Sequence, residues 1–464
     1  MSKPSRHKNQ ITAQSTVARP LTPRSLRSRR PSPSRGEGTT SAGRSHLAGN
    51  AVFAQSGGPT TVINASMAGA VLEAMKHKSH FKTLYGAKNG ILGVLQEELF
   101  DFGREKPSDI QGLRTTPAAA AGSCRYKVKT EADYARIIEV FAAHNIRYFF
   151  YAGGNDSMDT ADKVARLARE KKYEISVIGI PKTIDNDLAC TDHCPGYGSV
   201  AKYNATMIME AGRDTEALYT TDTTTVQEVM GRNAGWIAAA CGLARRHYED
   251  APHLIYVPEI PVSLNQIATH VRECLKRLGR CVMAVCEGVK NEKGEYLAEI
   301  GGSFGKDTFG HQQLGGVGEY LANFIEHEIG VKARRNKPGP LQRNGMHWAS
   351  KTDVGEAFMC GQESVRQAAK GATGCMITLV RKSNHPYECV TGLAQLSDVA
   401  NGEALLPRDY MDGSGTSITK KFREYLTPLV QGDLKVPMAV DGLPQYVRLK
   451  RALIRKRCGK WIKG

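Results

Sequence analysis

Apolar and polar positions along this chain alternate between two periods. Tyr148-Phe149-Phe150-Tyr151 run without a break into Gly153-Gly154, and from Asn155 onward Ala161, Val164, Ala165 and Ala168 recur at helical spacing as far as Lys171-Lys172. A second apolar run, Ile175 to Ile180, follows. Short continuous apolar runs suit strands buried on both faces of a parallel sheet. Strand–helix–strand in this order makes the two strands parallel neighbours with a right-handed crossover. Their following loops, Gly153-Gly154-Asn155-Asp156-Ser157 and Pro181-Lys182-Thr183-Ile184-Asp185-Asn186-Asp187, are therefore expected side by side at the sheet's carboxyl edge, where open α/β sheets bind ligands.

The same alternation extends in both directions. Upstream lie a strand over 51–55, the turn Ser56-Gly57-Gly58-Pro59, a helix over 62–75 and a strand over 83–86. A basic loop with Arg125, Lys127 and Lys129 precedes a helix in which Tyr134, Ile137, Ile138, Phe141 and Ala142 share one face. Downstream come a helix over 199–215, a threonine-rich polar strand into Glu228-Val229-Met230-Gly231-Arg232, and a strand over 254–258. A helix capped by Ser263 and a strand over 281–286 ending at Glu287-Gly288 follow. Helices over 315–328 and 352–369 flank a basic Pro/Gly-broken stretch, and a strand is expected over 374–381. Repeated β–α units predict a second doubly wound domain.

Charge changes this picture little. The formal net charge is +17, but residues 1–48 hold ten Lys/Arg against one Glu, and residues 448–464 hold eight against none. With those set aside, the chain's sixty-three basic and forty-six acidic residues fall to forty-five of each. The globular part is neutral, so the basicity reads as tails rather than a nucleic-acid surface. The N-terminal tail, rich in Ser, Arg and Pro, cannot bury enough surface to offset its ordering entropy. Eleven scattered cysteines without a secretory signal fit reduced thiols and a cytoplasmic setting. Cys190-x3-Cys194 with His193 lacks a matching second pair and does not read as a zinc site. No apolar run is long enough to span a membrane.

Phosphoryl transfer needs charge neutralisation, a base for the nucleophile and rigid positioning. Asp185 or Asp187 can supply the base, Lys182 a point charge for phosphate, and Asn155-Asp156 oxygens of the kind Mg²⁺ accepts. Arg125 and the Gly57-Gly58 turn can complete a phosphate cradle.

In this order, GGNDS, PKTIDND, EVMGR, EG after a strand, and PLQR resemble the phosphofructokinase family over about residues 50–395. PKTIDND, with Asp directly before Ser157, is similar to the family's pyrophosphate-dependent branch. The resemblance implies two doubly wound, Rossmann-like α/β domains with the active site in the cleft between them. A phosphoryl-donor domain is then expected over 49–197, completed by 343–395, and a sugar-phosphate domain over 198–342, leaving 396–447 unplaced. The implied reaction is reversible transfer of a phosphoryl group from pyrophosphate to the 1-hydroxyl of fructose 6-phosphate, with Mg²⁺, in a homodimer or homotetramer.

By motif, Asp185 is implied as the base, Asp187 as its orienter, and Arg232 near the transferred phosphoryl group. Thr183, Met230, Gly231 and Glu287 are implied sugar contacts, Arg343 a 6-phosphate contact, and Arg334 a residue that reaches across a subunit interface. Gly57, Arg125 and Lys182 are implied at pyrophosphate. ATP-using members carry glycine where Asp156 and Lys182 stand. The aspartate adds volume and negative charge that disfavour a nucleotide, and the lysine can pair with the shorter donor; the alternative is an ATP-dependent 6-phosphofructokinase. Three positions depart from the family pattern: Asn155 replaces a metal-binding Asp, Pro340 a His, and Thr223 an inter-subunit Arg. A non-catalytic regulatory chain would lack the Asp185 carboxylate, which is present.

Overall fold

A computed structural model describes residues 47–218, 220–300 and 316–462. The expected N-terminal tail up to residue 46 and the first residue of the 315–328 helix lie outside the described residues.

Eleven strands form among the described residues: β1 (Gly49–Gln55), β2 (Phe81–Ala87), β3 (Leu99–Asp101), β4 (Ile146–Gly153), β5 (Ser176–Pro181), β6 (Thr224–Val229), β7 (Leu254–Tyr256), β8 (Cys281–Cys286), β9 (Ala333–Asn336), β10 (Cys375–Asn384) and β11 (Tyr387–Gln395). One sheet has the order β11-β10-β5-β4-β1-β2-β3. Its five central strands are parallel, and β3 and β11 are antiparallel edges. The other, β7-β8-β6-β9, is parallel throughout.

The first sheet is buried on both faces, as its apolar runs require. Ala51, Phe53, Tyr148, Phe150, Ile178 and Ile180 join one core with residues of the helix Ile63–Ala74 and the helix Lys351–Ala369. Val52, Ala54, Phe149, Tyr151 and Val177 join another with residues of Glu131–Ala143 and Asn155–Glu170. Alternate side chains of one strand thus feed opposite layers, the doubly wound arrangement. Helices Ile63–Ala74 and Lys351–Ala369 touch backbone to backbone. A Cβ on Gly69 would lie 2.1 Å from the Phe358 carbonyl oxygen, and one on Gly361 1.9 Å from that of Ser66. Only glycine allows so close an approach.

The chain enters the second sheet through the helix Tyr197–Ala217 and returns to the first through Lys351–Ala369. Residues after 395 tie the two together. Trp236, buried in the second core, has the rings of Tyr410, Phe422 and Tyr425 within 6.3 Å. The basic run after 447 is docked: the backbone N–H groups of Lys450 and Arg451 donate to Glu105 at 3.0 and 2.8 Å. Those of Arg457 and Cys458 donate to Glu97. Among the described residues no helix is long and apolar enough to cross a membrane.

Candidate active site

Strands β4 and β5 end in register, Gly153 opposite Pro181, and β1 ends at Gln55 opposite Ala152. Three tips therefore lie side by side: the Asn155-Asp156 helix start and the loop from Lys182 to Asp187, the two that the strand–helix–strand reading requires, and the Gly57-Gly58 turn, which the pairing of β1 with β4 adds. Asn155 opens the helix Asn155–Glu170, so its first N–H groups face the same edge.

The cations gather at the glycine turn. Buried Lys182 donates from Nζ to the Gly58 carbonyl oxygen at 3.0 Å. That Nζ lies 3.2 Å from the place a Cβ on Gly57 would take, and Gly57 has φ +75°, where a side chain would be strained. Arg343 leans on the other residue of the turn, with Nη1 2.7 Å from a Cβ position on Gly58. Burial, and then the Arg343 charge, lower Lys182 to about 8. Burial and then Arg125 lower Arg343 in turn. Three mutually repelling cations at one turn favour an anion of several charges.

The loop from Lys182 to Asp187 is held rigidly. Thr183 Oγ1 accepts from the Asp185 N–H at 3.1 Å. Asn186, at φ +56°, donates from Nδ2 to the Tyr425 hydroxyl at 3.0 Å, and its Oδ1 accepts from the Cys194 N–H at 2.9 Å. The Asp187 carbonyl accepts from Ala404 N–H at 2.8 Å. Asp185 keeps part of its surface open, yet the surrounding protein strips away most of its hydration. That burial, with the negative charges of Asp187 and Glu287, raises it to about 7 against the pull of Lys182 and Arg343. A carboxylate poised near neutral pH suits a general base.

The second sheet presents its own edge. β6 and β8 end in register at Val229 and Cys286, which places Met230-Gly231-Arg232 beside Glu287. Gly231 donates its N–H to Glu287 Oε1, and Met230 its N–H to Gln342 Oε1, each at 3.2 Å. Burial raises Glu287. Because Glu287 is among the charges acting on Asp185, the two edges face each other.

Buried side-chain atoms without hydrogen-bond partners mark the same place. They include Asn155 Oδ1, Asp187 Oδ1, Arg232 Nε and Arg343 Nε. Unpartnered buried groups are rare and need a reason. Two of these are oxygens that suit Mg²⁺, and two are donors that suit phosphate.

Asp156 sits beside this group and is held by Lys127 Nζ at 3.0 Å. Arg334 is not brought in. It lies on β9 opposite Thr225, toward the amino end of β6, half-exposed, and pairs with Asp214 at 3.2 Å and with Asp222. His193 lies between Asp192 at 2.9 Å and Glu356 at 2.7 Å, whose charges raise it to about 9 despite burial. Three residues carry positioning roles that the sequence did not signal: Asn186, Gln342 and Tyr425. Asn186 and Gln342 stand inside recognised motifs, but Tyr425 has no local mark at all.

Two facing parallel-sheet edges that bring a poised carboxylate against converging cations define an α/β phosphotransferase. The chain belongs to the phosphofructokinase family: the family model described as "Phosphofructokinase" matches residues 50–367. It is 44% identical over 418 residues to a pyrophosphate–fructose 6-phosphate 1-phosphotransferase of Xanthomonas campestris pv. campestris, covering 89% of this chain and 99% of that one. A similarly named protein of Halomonas elongata is 44% identical over 88% of this chain and 98% of its own length. The crystal structure of a pyrophosphate-dependent phosphofructokinase from Nitrosospira multiformis superposes with a TM-score of 0.83 at 43% identity, over 90% of this chain and all of that one.

Proposed function

We propose that the protein transfers a phosphoryl group from pyrophosphate to the 1-hydroxyl of fructose 6-phosphate, reversibly, giving fructose 1,6-bisphosphate and phosphate. The observation that carries the choice of donor is the pair Asp156 and Lys182 at the donor edge. Lys182, buried against the Gly57-Gly58 turn, offers a cation to a small polyanion, while Asp156 stands at the helix start where a nucleotide would have to pass. The names of the relatives support the same reading.

Asp185 takes the proton of the sugar 1-hydroxyl as its oxygen attacks the terminal phosphorus of pyrophosphate. The bridging P–O bond breaks, and orthophosphate leaves with that electron pair. Lys182, Arg125 and Arg343, with the N–H groups of the Gly57 turn, hold the donor. This refines the implied place of Arg343, whose guanidinium rests on the donor turn and can serve both phosphates. Arg232 stabilises the phosphoryl group in transit, Asp187 orients the loop, and Thr183, Met230, Gly231 and Glu287 hold the sugar. The open oxygens of Asn155 and Asp187 would hold Mg²⁺, whose part is to neutralise pyrophosphate charge. The loss of one formal charge at Asn155 leaves a carbonyl ligand in its place. Assembly as a homodimer or homotetramer, with Arg334 of one copy serving the 6-phosphate of the next, belongs to this reading, as does a cytoplasmic setting.

The test is turnover of the purified protein with pyrophosphate and with ATP, at fixed fructose 6-phosphate and titrated Mg²⁺. A higher kcat/KM with pyrophosphate is expected. A clear preference for ATP would overturn the choice of donor.

A further inference from the structure

The loop that carries Arg125 and Lys127 into the donor site is fastened at both ends. At its start, Ser123 Oγ donates to the Gly57 carbonyl at 2.7 Å, and Gly57 N–H donates to the Cys124 carbonyl at 3.2 Å. At its far end stands Asp133, in the first turn of the helix Glu131–Ala143, whose own N–H is capped by Thr130 Oγ1 at 3.1 Å. One Asp133 oxygen accepts from the Tyr126 hydroxyl at 2.7 Å. The other accepts from Trp461 Nε1 at 3.2 Å. The indole also meets the Tyr126 ring edge-on, with centroids 6.0 Å apart at 88°. Trp461 therefore grips the one residue between Arg125 and Lys127 twice, once through its ring and once through a shared carboxylate.

The segment that delivers Trp461 is itself fixed. Arg136 donates to the Gly459 carbonyl at 2.7 Å, Ile454 N–H to the Leu99 carbonyl at 2.8 Å, and the Glu97 and Glu105 carboxylates take four backbone N–H groups of the run. These bonds use the strap's backbone, and one basic side chain adds to them, Arg457 donating from Nη1 to the Ala143 carbonyl at 2.9 Å.

We propose that Trp461 is a positioning residue for the pyrophosphate site: the strap over residues 448–462 holds Tyr126 through Asp133 and thereby sets Arg125 on the donor phosphates and Lys127 on Asp156. Lys127 thereby helps to orient the carboxylate of Asp156, one of the two donor-selecting residues, which it meets at 3.0 Å. This inference rests on the functional reading above. It concerns the donor alone: Tyr126 borders donor groups, while the sugar contacts Met230, Gly231 and Glu287 lie on the opposite edge.

The experiment is steady-state kinetics on Trp461→Ala, Trp461→Phe and Ile454→Ala in the full chain, with Tm measured for each. Trp461→Ala is expected to raise the pyrophosphate KM about tenfold, the size of one lost charge-assisted phosphate contact, and to leave the fructose 6-phosphate KM within about twofold. Trp461→Phe keeps the ring on Tyr126 but loses the N–H, so it should recover part of that loss. Ile454→Ala trims an apolar contact upstream but leaves in place the backbone bonds that deliver Trp461, so it should lower Tm with the pyrophosphate KM unmoved. An unchanged pyrophosphate KM in Trp461→Ala, equal loss for both substrates, or an equal effect of Ile454→Ala would overturn the proposal. Wild-type protein active with pyrophosphate keeps the functional reading whatever the variants do; wild-type protein inert toward it overturns both.

Discussion

Replacing Asp156 and Lys182 together by glycine tests the donor choice most directly. The two side chains act in different ways. Lys182 is buried, and its ammonium already carries a cost visible in its fall to about 8. In the proposed reading it returns a charge-assisted hydrogen bond to the donor phosphate, worth about 1.5–3 kcal/mol. Its loss should therefore cut kcat/KM for pyrophosphate by about 10- to 150-fold. Asp156 and Lys127 keep 41% and 37% of their side-chain surface open, so their ion pair contributes no more than about 1 kcal/mol to stability. Asp156→Gly should leave the fold intact, remove volume and one negative charge from the donor path, and free Lys127 to meet the α-phosphate of a nucleotide. The double variant should therefore lose pyrophosphate turnover by the Lys182 factor and gain ATP turnover measurably above wild type. The assay is kcat/KM for each donor at saturating fructose 6-phosphate and Mg²⁺, with Tm to confirm folding. A folded double variant that keeps pyrophosphate turnover within threefold would show that Lys182 does not touch the donor. One that loses pyrophosphate without gaining ATP would show that the helix start, rather than these two side chains, blocks the nucleotide.

Asp185→Asn should lower kcat by about 10²–10⁴-fold, the range for a lost general base. It should also raise Tm near pH 7.5, because a carboxyl whose folded pKa is lifted above its unfolded value destabilises the fold once pH exceeds the unfolded value; an unaltered kcat would assign the base elsewhere. Lys182, lowered to about 8, should lose its proton as pH rises through that value, so the pyrophosphate KM of wild type should climb above about pH 8. Lys182→Met should show a high KM with no such limb, and a limb that survives in it belongs to another group. For stability the sign is opposite: between about 8 and the unfolded value of 10.5 the unfolded chain holds the extra proton, so that group makes stability rise with pH. Trp236→Ala empties a buried indole pocket among Tyr410, Phe422 and Tyr425 and should cost about 3–5 kcal/mol. It should also reduce kcat by loosening Tyr425 on Asn186, and a stability loss under 1 kcal/mol by denaturant titration would contradict the packing.

The features visible in the sequence are those whose cause is local. The apolar runs at 148–151 and 175–180 show β4 and β5 because strands buried on both faces must be continuously apolar, and the order strand–helix–strand then places PKTIDND beside GGNDS. The threonine-rich stretch shows β6 because Met230-Gly231-Arg232 follows it, and Ser263 shows a helix start because a cap is a short-range bond, here completed by Gln266. β11 escapes that logic: as an antiparallel edge it is mostly half-buried, so Tyr387 to Gln395 carries no clean alternation. Residues 396–447 escape it too, because short turns with isolated aromatics acquire a direction only when Trp236 is present to receive them.

The site divides along the same line. Asp185, Lys182 and Glu287 could be read in place, since a strand's end fixes where its next residue must be. Arg343 could be recognised by its motif but not located, because its contact with the Gly58 turn spans 285 residues and depends on the return of the chain through Lys351–Ala369. The same holds for the link from Trp461 through Asp133 to Tyr126. Chemistry written at strand ends is local and legible. The orientation of that chemistry comes from segments that return late in the chain, and only the folded molecule shows which late residue holds which early loop. Substitutions after residue 395 should therefore alter donor and sugar constants more often than the sequence motifs suggest. Tyr425→Phe is the simplest instance: it removes the hydroxyl bonded to Asn186 and Asp192, and should lower kcat severalfold with little change in either KM. An effect confined to Tm would show that the Asp185 loop keeps its shape without that bond.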